Sequence, residues 1–147
     1  MNSRFETFTV LIAKINRNIK RIKNQEMAEY DLRSQHVSCL YYLYCNSAVT
    51  ATDLCEKCEE DKATISRTLD HLEKNGFIVS RTPAQKRYKS PIILTEKGQQ
   101  TGKEISDKID AVFEQLAPDI SEEERTVFYR NLNAISDCLE KCVKDAL

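Results

Sequence analysis

Asp61-Lys62-Ala63-Thr64-Ile65-Ser66-Arg67-Thr68-Leu69-Asp70-His71-Leu72-Glu73-Lys74-Asn75-Gly76 is the stretch on which the reading of this sequence turns. Asp61 stands at its head, where a carboxylate accepts from free backbone N–H groups and meets the positive end of a helix dipole. Ile65, Leu69 and Leu72 recur at helical spacing and form one buried stripe. Asn75-Gly76 supplies the stop. The face left over carries Lys62, Thr64, Ser66 and Arg67, with His71 one turn on. These are hydrogen-bond donors gathered near the N-terminal end of one helix.

Upstream, a shorter helix starts near Thr50–Thr52, includes Leu54 and ends by Cys58. Before it, a helix from about Ser34 to Cys45 turns Val37, Leu40, Leu43 and Tyr44 inward. Phe5, Phe8, Leu11, Ile12, Ile15, Ile19 and Ile22 make an apolar stripe on a first helix of roughly 20 residues or more. Downstream the period changes. Phe77-Ile78-Val79 and Ile92-Ile93-Leu94 are short β-prone runs bracketing a polar stretch from Arg81 to Pro91. Thr95 caps a further helix with Ile105, Ile109, Val112, Phe113 and Leu116 on one side, and Pro118 interrupts it. Ser121 and Glu124 have the spacing of a capping box, and Phe128, Leu132, Ile135, Leu139 and Cys142 carry the last stripe.

Composition bounds this order. The 147 residues are one domain's worth, 41% hydrophobic and 31% charged, with a net charge of −1. That balance excludes wholesale coating of nucleic acid but leaves room for a local basic patch. No apolar run is long enough to span a membrane, and the N-terminal stretch lacks a signal-peptide pattern. Three glycines and three prolines leave little punctuation, which favours long helices. The expectation is a cytoplasmic, mainly α chain: four helices, a two-strand β-hairpin, then two C-terminal helices.

A short helix, a tight connection and a second helix opened by donors form a helix-turn-helix, and the adjoining hairpin makes it winged. The second helix of such a unit lies in the major groove of double-stranded DNA with its N-terminal residues at base edges. The hairpin loop offers Arg81, Lys86, Arg87 and Lys89 with no acid between them, suited to phosphate or a narrow minor groove. The candidate DNA-binding set is therefore Lys62, Thr64, Ser66, Arg67 and His71 on the helix, with those four cations on the wing.

Thr50-Ala51-Thr52-Asp53-Leu54, then Asp61 to Arg67, then Leu72-Glu73-Lys74-Asn75-Gly76-Phe77-Ile78 and Leu94-Thr95-Glu96-Lys97-Gly98 follow one another at a familiar spacing. In this the chain resembles the MarR (multiple antibiotic resistance regulator) family along nearly its whole length. The resemblance implies a sequence-specific transcriptional regulator, a repressor ahead of an activator, that binds a near-palindromic operator as a homodimer and answers to an effector. It implies one domain over 1–147, with a winged helix-turn-helix lobe at 32–98 and dimerisation helices at 1–30 and 99–147. Two departures stand out. Gln85 and Lys86 precede Arg87 where the family has an acid, and Cys58 and Glu59 stand where it tends to have an apolar residue and a glycine.

Cys55 and Cys58 have the spacing of half a zinc or redox site, but no second pair or clustered histidines complete a tetrahedral set. Core packing is the expectation for them, as for Cys138 and Cys142 one turn apart, while Cys39 and Cys45 carry no signal beyond burial. No metal or cofactor is expected. Tyr30, Tyr41, Tyr42 and Tyr44 fit an effector pocket or ordinary core equally well. Without a nucleophile and base pair or a phosphate loop, an enzyme is rejected. A helical protein–protein adaptor and a thiol-based redox-sensing regulator are the alternatives.

Overall fold

The structure, a computed structural model, describes residues 3–80 and 89–146. Among these, six helices follow in order: α1 Arg4–Glu26, α2 Ser34–Cys45, α3 Ala51–Cys58, α4 Lys62–Lys74, α5 Glu96–Glu114 and α6 Glu122–Ala146, with a 3-10 turn at Ala28–Tyr30 after α1. The chain divides into two compact units, Met1–Ile109 and Asp110–Leu147, and the boundary falls inside α5. No helix among the described residues is long and apolar enough to cross a membrane.

Each start has a chemical cause. The Glu6 N–H donates to Ser3 Oγ at 3.0 Å, and Thr50 and Asp53 exchange bonds in a capping box. Asp61 Oδ1 accepts from the Thr64 N–H at 2.7 Å. Thr95 Oγ1 accepts from the Gly98 N–H, and Ser121 and Glu124 close the last capping box. In the first unit the core is built from Val37, Leu40, Leu54, Ile65, Leu69, Leu72, Phe77, Ile78 and Ile105, all essentially without exposed surface. Met27 and Leu32, which flank the 3-10 turn and belong to no periodic stripe, are buried just as fully.

Two expectations need correction. The runs 77–79 and 92–94 do not form strands among the described residues; a single antiparallel bridge joins Ile78 and Leu94. The Val79 N–H donates to the Ile93 carbonyl at 2.8 Å and the Thr95 N–H to the Phe77 carbonyl at 3.1 Å. The Ile92 N–H is turned away to the Val49 carbonyl at 2.8 Å, so the returning chain joins the ladder only from Ile93 onward. The rest of the expected hairpin, with Arg81, Lys86 and Arg87, lies outside the described residues.

The second correction concerns cysteine. Cys39 is buried and Cys55 and Cys58 are half-buried, but Cys45, Cys138 and Cys142 are exposed. For the last two the reason is that α6 has no buried residue in its own unit. The first helix is similar: α1 buries nothing, and Phe5, Leu11 and Ile15 are each more than half exposed.

The end of α4 and the start of α5 are fastened together. Gly76, at φ +78°, takes the left-handed position after the Asn75 cap. The Phe77 N–H reaches the Leu72 carbonyl at 2.9 Å and the Gly76 N–H the Glu73 carbonyl at 3.1 Å, a Schellman closure. Thr95 Oγ1 donates to the Gly76 carbonyl at 2.6 Å, and Lys97 Nζ donates to the Asn75 carbonyl at 2.7 Å while lying 4.3 Å from the Phe77 ring centroid. Gly98 lets the first turn of α5 pass directly over the Phe77 carbonyl, with which a side chain there would collide.

Two substitutions of opposite sign follow. Gly98→Ala forces backbone against backbone and is expected to destabilise by about 1–3 kcal/mol. Glu59 closes α3 at φ 52°, a left-handed conformation that costs a non-glycine residue about 1–2 kcal/mol. Glu59→Gly should relieve part of that and stabilise by roughly 0.5–1 kcal/mol after glycine's extra unfolded-state entropy. Urea midpoints of the two variants check both signs, and a stabilised Gly98→Ala would contradict the close approach.

Candidate nucleic-acid interface

The sequence stripe of α4 becomes three side chains with no exposed surface: Ile65, Leu69 and Leu72, joined by nearly buried Thr68. Thr68 satisfies its hydroxyl on the Thr64 carbonyl at 2.8 Å. With that side packed against α2 and α3, the opposite side of the helix is left to solvent, and Ala63, Arg67, Asp70 and Lys74 are exposed there. Lys62 is exposed in the first turn, and Thr64 and Ser66 are half-buried at the edges of the exposed face.

The N-terminal turns are ordered from within. Hydrogen bonds from the Thr64 N–H and hydroxyl hold the Asp61 carboxyl below its ordinary range, with Arg67 adding attraction. Arg67 Nη2 in turn donates to Thr64 Oγ1 at 3.3 Å. The chain Asp61, Thr64, Arg67 thus holds a guanidinium over the first turns and lessens the rotamer entropy it would lose on gripping a ligand.

His71 is half-buried at the edge of that face, as Thr64 and Ser66 are. Its ring stacks on His36 of α2, centroids 4.1 Å apart and planes inclined by 19°. Its Nε2 lies 3.2 Å from the Asp31 carbonyl, which can only accept, so that nitrogen carries the proton. His71 sits at the edge of the buried stripe, two residues from Leu69 and one from Leu72. Lys89 is exposed just where the described chain resumes. Arg81, Lys86 and Arg87 lie outside the described residues.

The turn between α3 and α4 also differs from the family pattern in a definite way. Glu59 does with strain what a glycine does freely, and the Glu60 N–H closes α3 on the Cys55 carbonyl at 3.1 Å. Asp61 follows at once as the cap of α4, so the two helices are joined with only Glu59, Glu60 and Asp61 between them.

A two-helix unit of this kind, backed by α2 and followed by the bridge between Ile78 and Leu94, falls within residues 32–87, which match the family model described as MarR family. Over that segment the chain is similar to the MarR family. It is 28% identical to the uncharacterised HTH-type transcriptional regulator YwoH of Bacillus subtilis (strain 168), covering 80% of this chain and 88% of that one. The Staphylococcus aureus MepR–DNA complex is similar in fold, with a TM-score of 0.77 at 24% identity, covering 90% of this chain and 97% of that one. NMB1585, a MarR family regulator from Neisseria meningitidis, matches at a TM-score of 0.78 and 22% identity with both chains covered in full.

Sequence reasoning found the helix and its donors but missed the groups that hold the helix from behind. His36 is one of them. Its Nδ1 accepts the Arg33 N–H at 3.0 Å, which requires that nitrogen to be unprotonated. Burial, then His71 and Arg33, push its pKa down to about 4 against the opposing pull of Asp31. A histidine depressed in the folded state contributes stability above its unfolded value near 6.5, and that stability is lost as pH falls toward 4. Lowering pH from about 7 to about 5 should therefore cost about 1–2 kcal/mol, the solvated ring edge reducing the full linkage figure. Denaturant midpoints at the two pH values measure it. In His36→Gln, which keeps an acceptor and cannot titrate here, the difference should shrink; an unchanged difference would place the effect elsewhere.

Proposed function

We propose that this chain is a sequence-specific DNA-binding transcriptional regulator, most simply a repressor, that works in the cytoplasm as a homodimer on a near-palindromic operator and answers to a small-molecule effector. The observation that carries the reading is the solvent face of α4, whose N-terminal turns present Lys62, Thr64, Ser66 and Arg67 while Ile65, Leu69 and Leu72 fix its orientation. Asp70 shares that face farther along and would repel phosphate, so the N-terminal half is the end that reads bases. His71, one turn on, completes the helix set from the edge of the face while its ring stacks on His36. The relatives are regulators rather than enzymes, which supports a binding role over a catalytic one.

The lobe at 32–98 carries the contact. Its wing is a hairpin rooted at Ile78 and Leu94, with Arg81, Lys86, Arg87 and Lys89 meeting phosphate or a narrow minor groove. The helices at 1–30 and 99–147 dimerise. Support comes from their exposed apolar residues, Phe5, Leu11 and Ile15 on α1 and Phe128, Leu139 and Val143 on α6, too many to leave in water. Two lobes about one DNA turn apart, ~34 Å, would read two half-sites.

Arg67 and Arg87 divide the work. A guanidinium in the first turns of α4 can grip a guanine edge with two bonds, worth about 1–3 kcal/mol of discrimination. A wing arginine meets the backbone and carries little base information. Arg67→Ala should flatten the preference for operator over scrambled duplex. Arg87→Ala should weaken both and lower the salt slope by about one unit. Titrations of both variants at several salt concentrations decide it, and the reverse pattern would overturn the assignment. Sedimentation of the wild-type protein tests the dimer: a stable monomer at micromolar concentration would refute it.

A further inference from the structure

Cysteine ranks among the residues that folded chains bury most completely. Cys138 and Cys142 depart from that: both are free thiols standing exposed on α6. They are four residues apart in a helix that runs without a break from Glu122 to Ala146, so they share one face, one turn apart. Side chains in a helix lean toward its N-terminus, which brings the Cys142 thiol over the turn that carries Cys138. Exposed Ile135 and Leu139 border the same strip, so the thiols lie against apolar surface.

The gap between them is too wide for a direct bond. Side chains at this spacing have Cβ atoms about 5–6 Å apart, whereas a disulfide holds them at about 3.5–4.5 Å. A bridging ion needs the wider gap. With metal–sulfur bonds of about 2.3 Å on opposite sides of the ion, the two sulfurs stand about 4.6 Å apart, which these side chains reach without moving the helix.

We propose that Cys138 and Cys142 bind one soft monovalent cation with the chemistry of Cu(I), as a two-coordinate bridge along α6. The donor set makes the choice. Two thiolates suit a soft ion. Structural zinc takes four ligands, and of the positions three or four residues from either cysteine, Asp145 alone holds a further metal-binding group. Calcium and magnesium, which want several oxygens, find too few. Binding breaks two S–H bonds and forms two sulfur–metal bonds. Both protons pass to solvent, and the metal keeps its oxidation state. The site does not depend on the DNA-binding function proposed above.

The test uses the full chain with Cys55→Ser and Cys58→Ser in place, which removes the other closely spaced cysteines. Reduced and without oxygen, it competes for Cu(I) against bathocuproine disulfonate, with ascorbate present. It should withdraw one ion per chain. A further Cys138→Ser or Cys142→Ser should lower the affinity by more than about 100-fold, beyond what loss of an outer contact costs. Both positions are exposed, so serine there should leave the helical circular dichroism unchanged. Because two protons leave, affinity should fall by up to about 100-fold per pH unit below the thiol range near 8.5. Excess Zn(II) should leave both cysteines open to alkylation. Copper left with the chelator, one ion shared by two chains, single variants that bind undiminished, or thiols shielded by zinc would each overturn the site.

Discussion

Everything that could touch a partner from α4 depends on where its other side is buried. Ile65, Leu69 and Leu72 have no exposed surface, and each is worth roughly 1.5–3 kcal/mol of apolar burial. A rotation of the helix by one position would bring a buried leucine to water and drive Arg67 or Asp70 into the core. Neither exchange is affordable in a domain whose net stability is about 5–15 kcal/mol. The orientation of Lys62, Thr64, Ser66 and Arg67 is thus a consequence of packing, and needs no contact with DNA to be set.

Packing fixes rotation; the two ends fix position along the axis. At the head, Asp61 binds the first turn immediately after a strained Glu59, so α4 starts at a defined distance from α3. At the tail, Gly76 closes the helix, and Thr95 and Lys97 of the returning chain take the carbonyls of Gly76 and Asn75. The same two residues begin α5. A displacement of α5 would therefore pull on the tail of α4 through short polar bonds, a mechanical route from the long helix to the exposed face.

These features were unequally legible in the sequence. Local chemistry was readable: α2 was expected from about Ser34 to Cys45 and is found there, and the caps at Thr50, Asp61, Thr95 and Ser121 act where they stand. Periodicity alone placed Ile65, Leu69 and Leu72. It could not place Met27 or Leu32, because the connection that flanks a 3-10 turn has no long stripe to reveal what it buries. Nor could it pair His71 with His36, since a stacking partner on another helix leaves no trace in the spacing of either. The strands were overestimated because β-propensity in 77–79 and 92–94 says nothing of where each N–H goes, and that of Ile92 goes to Val49. Cysteine was the least legible. Spacing set Cys55 and Cys58 apart as a pair, whereas burial divides the six differently: Cys39 is buried, and Cys45, Cys138 and Cys142 are exposed.

The histidine stack ties α4 to its backing helix. His36 is buried in α2 and meets His71 of α4. The backing helix therefore touches the second half of the helix-turn-helix through a group whose charge can change, set among leucine and isoleucine contacts that cannot. A hydrocarbon core holds its helices with the same strength at any pH. Here the hold on α4 varies with a proton on His36. Because α3 and α4 are separated by only three residues, a change at that contact is passed to α3 with little slack to absorb it.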